Sequence, residues 1–146
     1  MKTAQQAGSP LGVIMIDLDK FKQVNDVHGH AAGDLVLIAA SERVQNVLDE
    51  SDAVGRYGGE EFLIVAPKAP EDLAALAERV RAAIAAEPVP SGAALLTVTA
   101  SLGYASYCPK VDAETLLRAA DEALYRAKHQ GRNRVEPGVF DGCTPP

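Results

Sequence analysis

The chain has 146 residues, 47% of them hydrophobic, with a formal net charge of −6. That length and apolar share support a single core and a single domain, while the acidic balance argues against a general nucleic-acid binder, which needs a basic face to displace counterions from phosphates. No apolar run approaches the roughly 20 residues of a membrane-spanning helix, residues 1–10 hold no signal-peptide hydrophobic segment, and Cys108 and Cys143 show neither metal-ligand spacing nor a disulfide framework, which fits a reducing cytoplasm.

Gly12–Leu18 (GVIMIDL), preceded by Ser9-Pro10, is a short run rich in β-formers and predicts a buried strand. A polar loop is expected next. From Gly33, the residues Val36, Ala40, Val44, Val47 and Leu48 recur at helical spacing, and Asp34 falls in the first turn, where the helix dipole favours a carboxylate. Residues 53–57 and 60–66 predict two strands joined by Gly58-Gly59, whose freedom to take positive φ suits a tight hairpin. Pro67 closes the second strand, and Phe62 belongs to the core.

Leu73, Leu76, Ala77, Val80 and Ile84 predict a second amphipathic helix, which ends before the loop Pro88-Val89-Pro90-Ser91-Gly92. Residues 95–105 return to strand. A third helix starts near Asp112, a candidate N-cap, with Leu117, Ala120, Leu124 and Ala127 on one face and Gly131 as its stop. Arg134-Val135 adds a last short strand. The order strand, helix, hairpin, helix, strand is the βαββαβ pattern of ferredoxin-like folds, with an extra C-terminal helix.

That order brings chemistry together. If the first two strands are parallel around a right-handed crossover with the third between them, the first strand ends beside the glycine turn, and Asp17 neighbours Glu60. Taken singly, Asp17, Asp19, Glu60 and Glu61 are ordinary solubilising carboxylates. Gathered at one sheet edge they repel, by about 4 kcal/mol for a pair ~4 Å apart at an effective dielectric near 20. Mg²⁺ is the natural counter-charge, a hard cation that prefers a few carboxylates together with substrate phosphates.

Three separated motifs then stand in order. Asp17-Leu18-Asp19-Lys20-Phe21-Lys22-Gln23-Val24-Asn25-Asp26 runs on through Gly29-His30 to Gly33-Asp34, Gly58-Gly59-Glu60-Glu61-Phe62 follows, and Ala120-Asp121-Glu122-Ala123-Leu124-Tyr125-Arg126-Ala127-Lys128 leads to Gly131-Arg132-Asn133. The chain resembles the GGDEF (diguanylate cyclase) family at all three, from Leu11 to Val135. The resemblance implies an α/β (α+β) fold with a ferredoxin-like core and a mainly antiparallel sheet flanked by helices, as in nucleotidyl cyclase and polymerase-palm domains.

It also implies condensation of two GTP into cyclic di-GMP, in the cytoplasm, by a homodimer governed by an upstream sensory or regulatory domain. Asp17, Glu60 and the Leu18 carbonyl match the metal ligands, with Mg²⁺ or Mn²⁺ as the ion. Glu61 matches the neighbouring signature acid, and Lys22, Lys128 and Arg132 match cations on the triphosphate. Asn25 and Asp34 match guanine readers, a carboxylate being able to accept from guanine N1–H and N2–H₂, which adenine does not present. His30 matches a pocket-supporting position, and Gly58 and Gly59 let phosphate approach the backbone. The alternative class is a catalytically silent GTP-binding module.

Two departures stand out. The family begins with an Asp-x-Leu-Thr-Gly-Leu-x-Asn-Arg stretch and a full helix, so residues 1–10 are expected to be a remnant of a truncated domain spanning 11–136, with 137–146 as a tail. Its inhibitory Arg-x-x-Asp site reads Asp49-Glu50-Ser51-Asp52 here, which puts an acid in place of the phosphate-binding arginine.

Overall fold

The computed structural model describes residues 10–139. The expected remnant before Pro10 and the tail beyond Val139, Cys143 included, lie outside the described residues. Strand β1 (Gly12–Leu18) is apolar on both faces, and Val13, Ile14, Met15, Ile16 and Leu18 are each no more than 3% exposed. Such a strand belongs in the middle of a sheet covered on both sides. The five-stranded order is β2-β3-β1-β6-β7, where β2 is Ala53–Arg56, β3 is Glu61–Ala66, β6 is Ala100–Ser106 and β7 is Val135–Pro137. Every pairing is antiparallel except that of β6 with β7. This is the expected ferredoxin-like core, and the short last strand is present.

Helix α1 (Phe21–His28) stands where a polar loop was expected. Phe21 and Val24 are its half-buried anchors on the core, too few in eight residues to show a helical period. Gly29, at φ 92°, breaks the chain between α1 and α2 (His30–Val47), which starts three residues before the expected Gly33. Helix α3 (Pro70–Ala85) opens on proline, with Glu71 and Asp72 in its first turn, the arrangement that helix dipoles favour. Helices α2 and α3 cover one face of the sheet through Val36, Val44, Leu73, Leu76, Val80 and Ile84.

The region after α3 differs from expectation. Val89–Ser91 (β4) and Ala94–Leu96 (β5) pair as a separate hairpin around Gly92, at φ 59°, where a loop and the start of a long strand were expected. The glycine turn differs too. The link between β2 and β3 is four residues, Tyr57 to Glu60, and neither Gly58 nor Gly59 takes a positive φ. The Tyr57 and Gly58 N–H groups instead converge on the Glu61 carbonyl at 2.9 and 3.4 Å, and the Arg56 guanidinium donates to the Gly59 carbonyl. Cys108 lies on the loop after β6. No helix among the described residues is long and apolar enough to cross a membrane.

Helix α4 (Ala113–His129) covers the other face through Leu116, Ala119, Ala120 and Leu124, packed on Val13, Met15 and Ala105. Its N-cap is Asp112, as expected, whose Oδ1 accepts from the Thr115 N–H at 2.8 Å, and Gly131 follows its end at φ 128°. The helix lies close to the sheet because Gly103 on β6 has no side chain. A Cβ there would stand 2.2 Å from the Ala120 carbonyl oxygen and 2.3 Å from the Leu124 nitrogen. Gly103→Ala must push α4 off the sheet, so it should destabilise the fold by about 1–3 kcal/mol, read as a lowered urea midpoint. An unchanged midpoint would mean that the helix does not depend on this close approach.

Candidate functional site

The register between β1 and β3 sets Asp17 directly across from Glu61, followed by Met15 across from Leu63 and Val13 across from Val65. Side chains alternate along a strand, so Asp17 and Glu61 share the α4 face with Val13 and Met15. Glu60 lies one step further along, its carbonyl accepting from the Leu18 N–H at 3.2 Å. The strand-order expectation therefore holds, with Glu61 rather than Glu60 as the cross-strand partner of Asp17. From the last turn of α4, Lys128 Nζ reaches Asp17 Oδ1 at 3.0 Å.

Burial pushes the Asp17 carboxyl above its usual value, the hydrogen bond and charge of Lys128 oppose this, and the charges of Glu60 and Glu61 raise it further. Three carboxylates thus face one ammonium, a surplus of two negative charges. Among the described residues no group of three or more His, Cys, Asp or Glu side chains converges as a metal site. The expected ligand set asks for only two side chains and a carbonyl, and the uncompensated charge suits a divalent cation.

The remaining predicted residues arrange themselves around this edge. Lys22 and Asn25 share one face of α1, Lys22 exposed and Asn25 half-buried. Asn25 lies over Gly33, since a Cβ on that glycine would stand 1.9 Å from Asn25 Oδ1, and the exposed Asp34 is the next residue. The two expected base readers are therefore neighbours. His30 occupies the first residue of α2 and is exposed. Glu61 folds over Gly58, where a Cβ would come within 2.8 Å of Glu61 Oε1, whereas the space around Gly59 is open. Arg132 sits on the loop leaving α4, exposed, at φ 61°.

Arg56 and Lys68, which sequence reasoning passed over, and Asp19, which it counted among the edge carboxylates without assigning it a role, also make structural contacts. Arg56 ties the glycine turn, as above. Asp19, 9% exposed, accepts three hydrogen bonds from residues far along the chain. Lys68 bridges two acids in the loop before β2. Only the burial of Asp19, immediately after an apolar strand, had any trace in the sequence.

A strand pair that presents neighbouring acids beside a glycine turn, on a ferredoxin-like core, defines a nucleotidyl-cyclase-like domain. The family described as "Diguanylate cyclase, GGDEF domain" matches residues 1–134, and the chain belongs to it. The chain is 42% identical over 135 residues to the diguanylate cyclase DosC of Escherichia coli K12, covering 91% of this chain and 29% of that protein. It is 40% identical over 139 residues to the response regulator PleD of Caulobacter vibrioides, covering 92% and 31%. It therefore spans under a third of the length of these relatives.

The GGDEF domain of DgcB from Caulobacter crescentus, solved in complex with c-di-GMP, superposes with a TM-score of 0.89 at 30% identity, covering 93% of this chain and 82% of that one. The active GGEEF domain of a Vibrio cholerae diguanylate cyclase gives 0.87 at 34%, covering 96% and 90%.

The Asp49-to-Asp52 turn, where the family resemblance places an inhibitory site, is engaged from within. Asp49 Oδ1 accepts from Ser51 N at 2.9 Å and Ser51 Oγ at 2.5 Å, and Asp52 Oδ2 accepts from Asp49 N at 3.0 Å. Lys68 Nζ lies 3.0 Å from Asp49 Oδ2 and from Asp52 Oδ1, the Asp52 side chain being 1% exposed. The Ser51 and Lys68 contacts hold the Asp49 carboxyl well below the usual range. Lys68→Met leaves the buried Asp52 carboxylate without its cation, which should cost about 1–3 kcal/mol near neutral pH. A depressed carboxyl stabilises the fold above its ordinary pKa and loses that contribution as pH falls. The gap between wild type and variant should therefore narrow in acid unfolding curves below about pH 4, and a gap that stays constant to lower pH would contradict the clamp.

Proposed function

We propose that this domain condenses two GTP molecules into cyclic di-GMP, each 3′-hydroxyl attacking the α-phosphate of the other nucleotide and displacing pyrophosphate. The observation that carries the reading is Asp17 set across from Glu61 with Glu60 alongside, in a chain whose curated relatives include named diguanylate cyclases. Asp17, Glu60 and the Leu18 carbonyl would hold Mg²⁺, with Mn²⁺ as the alternative. When bound, the ion supplies charge neutralisation to the attacking and leaving oxygens.

The chain's own residues do the rest. Lys128, paired with Asp17 here, transfers its charge to the phosphates once another cation satisfies Asp17, and Lys22 and Arg132 add two more cations. Glu61, beside Asp17, is the acid that accepts the proton of the 3′-hydroxyl. Gly59, open above its Cα, and Gly58, whose nearest neighbour is the Glu61 side chain, let phosphate come close to the backbone. Asn25 and Asp34 hold the base and His30 supports their pocket. We place the reaction in the cytoplasm, where GTP is made, under an upstream sensory or regulatory domain in keeping with the greater length of the relatives.

Base reading has a direct test. Metal-dependent affinity for GTP should exceed that for ATP by at least about tenfold, because a pocket built to pair one base leaves buried groups unpaired with the other. Calorimetry with both nucleotides on wild type and on Asp34→Ala measures it, and equal affinities in wild type would return Asn25 and Asp34 to purely structural roles.

Two nucleotides, each on its own domain, must meet face to face, most simply across a two-fold axis. Turnover per domain should then fall on dilution below the dimer dissociation constant, and a flat rate would count against the pair. Regulation follows from the acidic turn, where Asp49 offers a phosphate repulsion in place of an arginine's paired donors. In initial-rate assays cyclic di-GMP should inhibit competitively with GTP or not at all. A non-competitive component abolished by mutating Asp52 would overturn this.

A further inference from the structure

Three described residues other than glycine have positive φ, Lys20 at 57°, Arg132 at 61° and Asn133 at 46°. Residues with side chains enter this region reluctantly and hold it only when their surroundings impose it. All three lie around one side chain, that of Asp19. Its Oδ2 accepts from the Asn133 N–H at 2.9 Å and from Thr99 Oγ1 at 2.7 Å, and its Oδ1 accepts from Ser101 Oγ at 2.7 Å. Its own N–H donates to the Thr99 carbonyl at 2.9 Å.

One buried carboxylate thus joins the end of β1, which bears Asp17 and Leu18, to the start of β6 and to the loop that bears Arg132. The Arg132 side chain is exposed and has no hydrogen-bond or ion-pair partner among the described residues, while its N–H donates to the Ala127 carbonyl at 3.0 Å. Where its guanidinium stands is therefore decided by its backbone, and that backbone is held through Asn133.

We propose that Asp19 is a positioning residue that fixes Arg132 relative to Asp17, holding the left-handed Arg132-Asn133 turn so that the guanidinium meets the triphosphate of a bound nucleoside triphosphate. This rests on the reading of Arg132 given above. Asp19 acts by geometry rather than by its charge. Three donors already occupy the two oxygens, so the carboxylate has little left to offer a cation.

The variants Asp19→Ala and Asp19→Asn separate geometry from charge. An asparagine oxygen can still accept from Asn133 and Thr99, while its amide donates to Ser101, whose hydroxyl can turn to accept. Affinity for GTP with Mg²⁺ should fall about tenfold in Arg132→Ala and by a similar factor in Asp19→Ala, one charge-assisted contact being lost in each. The double variant should be no weaker than either single one, because both remove the same contact. Asp19→Asn should stay within about threefold of wild type, since the acceptor geometry survives. Losses that multiply in the double variant, or an Asp19→Asn protein as weak as Asp19→Ala, would overturn the proposal.

If wild type binds no GTP, the proposed function fails, and amide exchange in the ligand-free protein decides the role of Asp19. The Asn133 amide should be protected in wild type and in Asp19→Asn but exchange at least about tenfold faster in Asp19→Ala, with the β1 and β3 amides unchanged. Equal exchange in wild type and Asp19→Ala overturns it. Should Asp19→Ala lose sheet protection as a whole, Thr99→Val, which strips one donor from the same oxygen, should speed Asn133 exchange in a folded protein, and no change there overturns the proposal.

Discussion

The antiparallel register between β1 and β3 is the constraint on which the site depends. Because Met15 pairs with Leu63 and Val13 with Val65, Asp17 must stand across from Glu61. A one-residue slip would move Ile14, Ile16 and Leu18 from the α2–α3 face to the α4 face and Val13 and Met15 the other way, so the packing on both faces fixes the meeting of acids at the strand ends. Neither strand can move away, since β1 is packed on both faces. Two such charges ~4 Å apart would repel by about 4 kcal/mol at an effective dielectric near 20, and among the described residues Lys128 is the cation paired with Asp17. The site is thus a negatively charged corner, and the proposed divalent cation would offset that charge.

Helix α4 carries the opposing charges to that corner. Its close seat on the sheet depends on Gly103, its last turn holds Lys128 beside Asp17, and its exit loop, which bears Arg132, is tied to Asp19 through the Asn133 N–H. The cations at a helix C-terminus also complement its dipole. A single helix therefore couples sheet packing to site electrostatics, which is why a methyl group at position 103, remote from the acids, bears on the chemistry.

The order of strands and helices was legible because β1 and β3 are short continuous apolar runs bounded by turn signals and α2, α3 and α4 bury enough residues to show a period of about 3.6. From that order alone the meeting of Asp17 with the signature acids followed. Helix α1 escaped because eight residues with two anchors show no period. The β4–β5 hairpin escaped because Pro88, Pro90 and Gly92 read as a loop, although a proline is tolerated in a two-stranded edge. The glycine turn misled in a different way, since Gly58 and Gly59 avoid positive φ while Lys20, Arg132 and Asn133 adopt it. Of these, Asn133 donates its N–H to Asp19, whose donors lie 80, 82 and 114 positions away. No local pattern encodes such contacts.

The most direct test of the account is to incubate the protein with GTP and Mg²⁺, resolve the products by chromatography and mass, and compare wild type with Glu60→Gln, joining both to an upstream helix if the short chain is slow. The account predicts cyclic di-GMP and pyrophosphate from wild type and no product from Glu60→Gln, with circular dichroism and urea midpoint unchanged. Product formation by Glu60→Gln at the wild-type rate, or a folded, GTP-binding, dimeric wild type that never forms the cyclic dinucleotide, would contradict it.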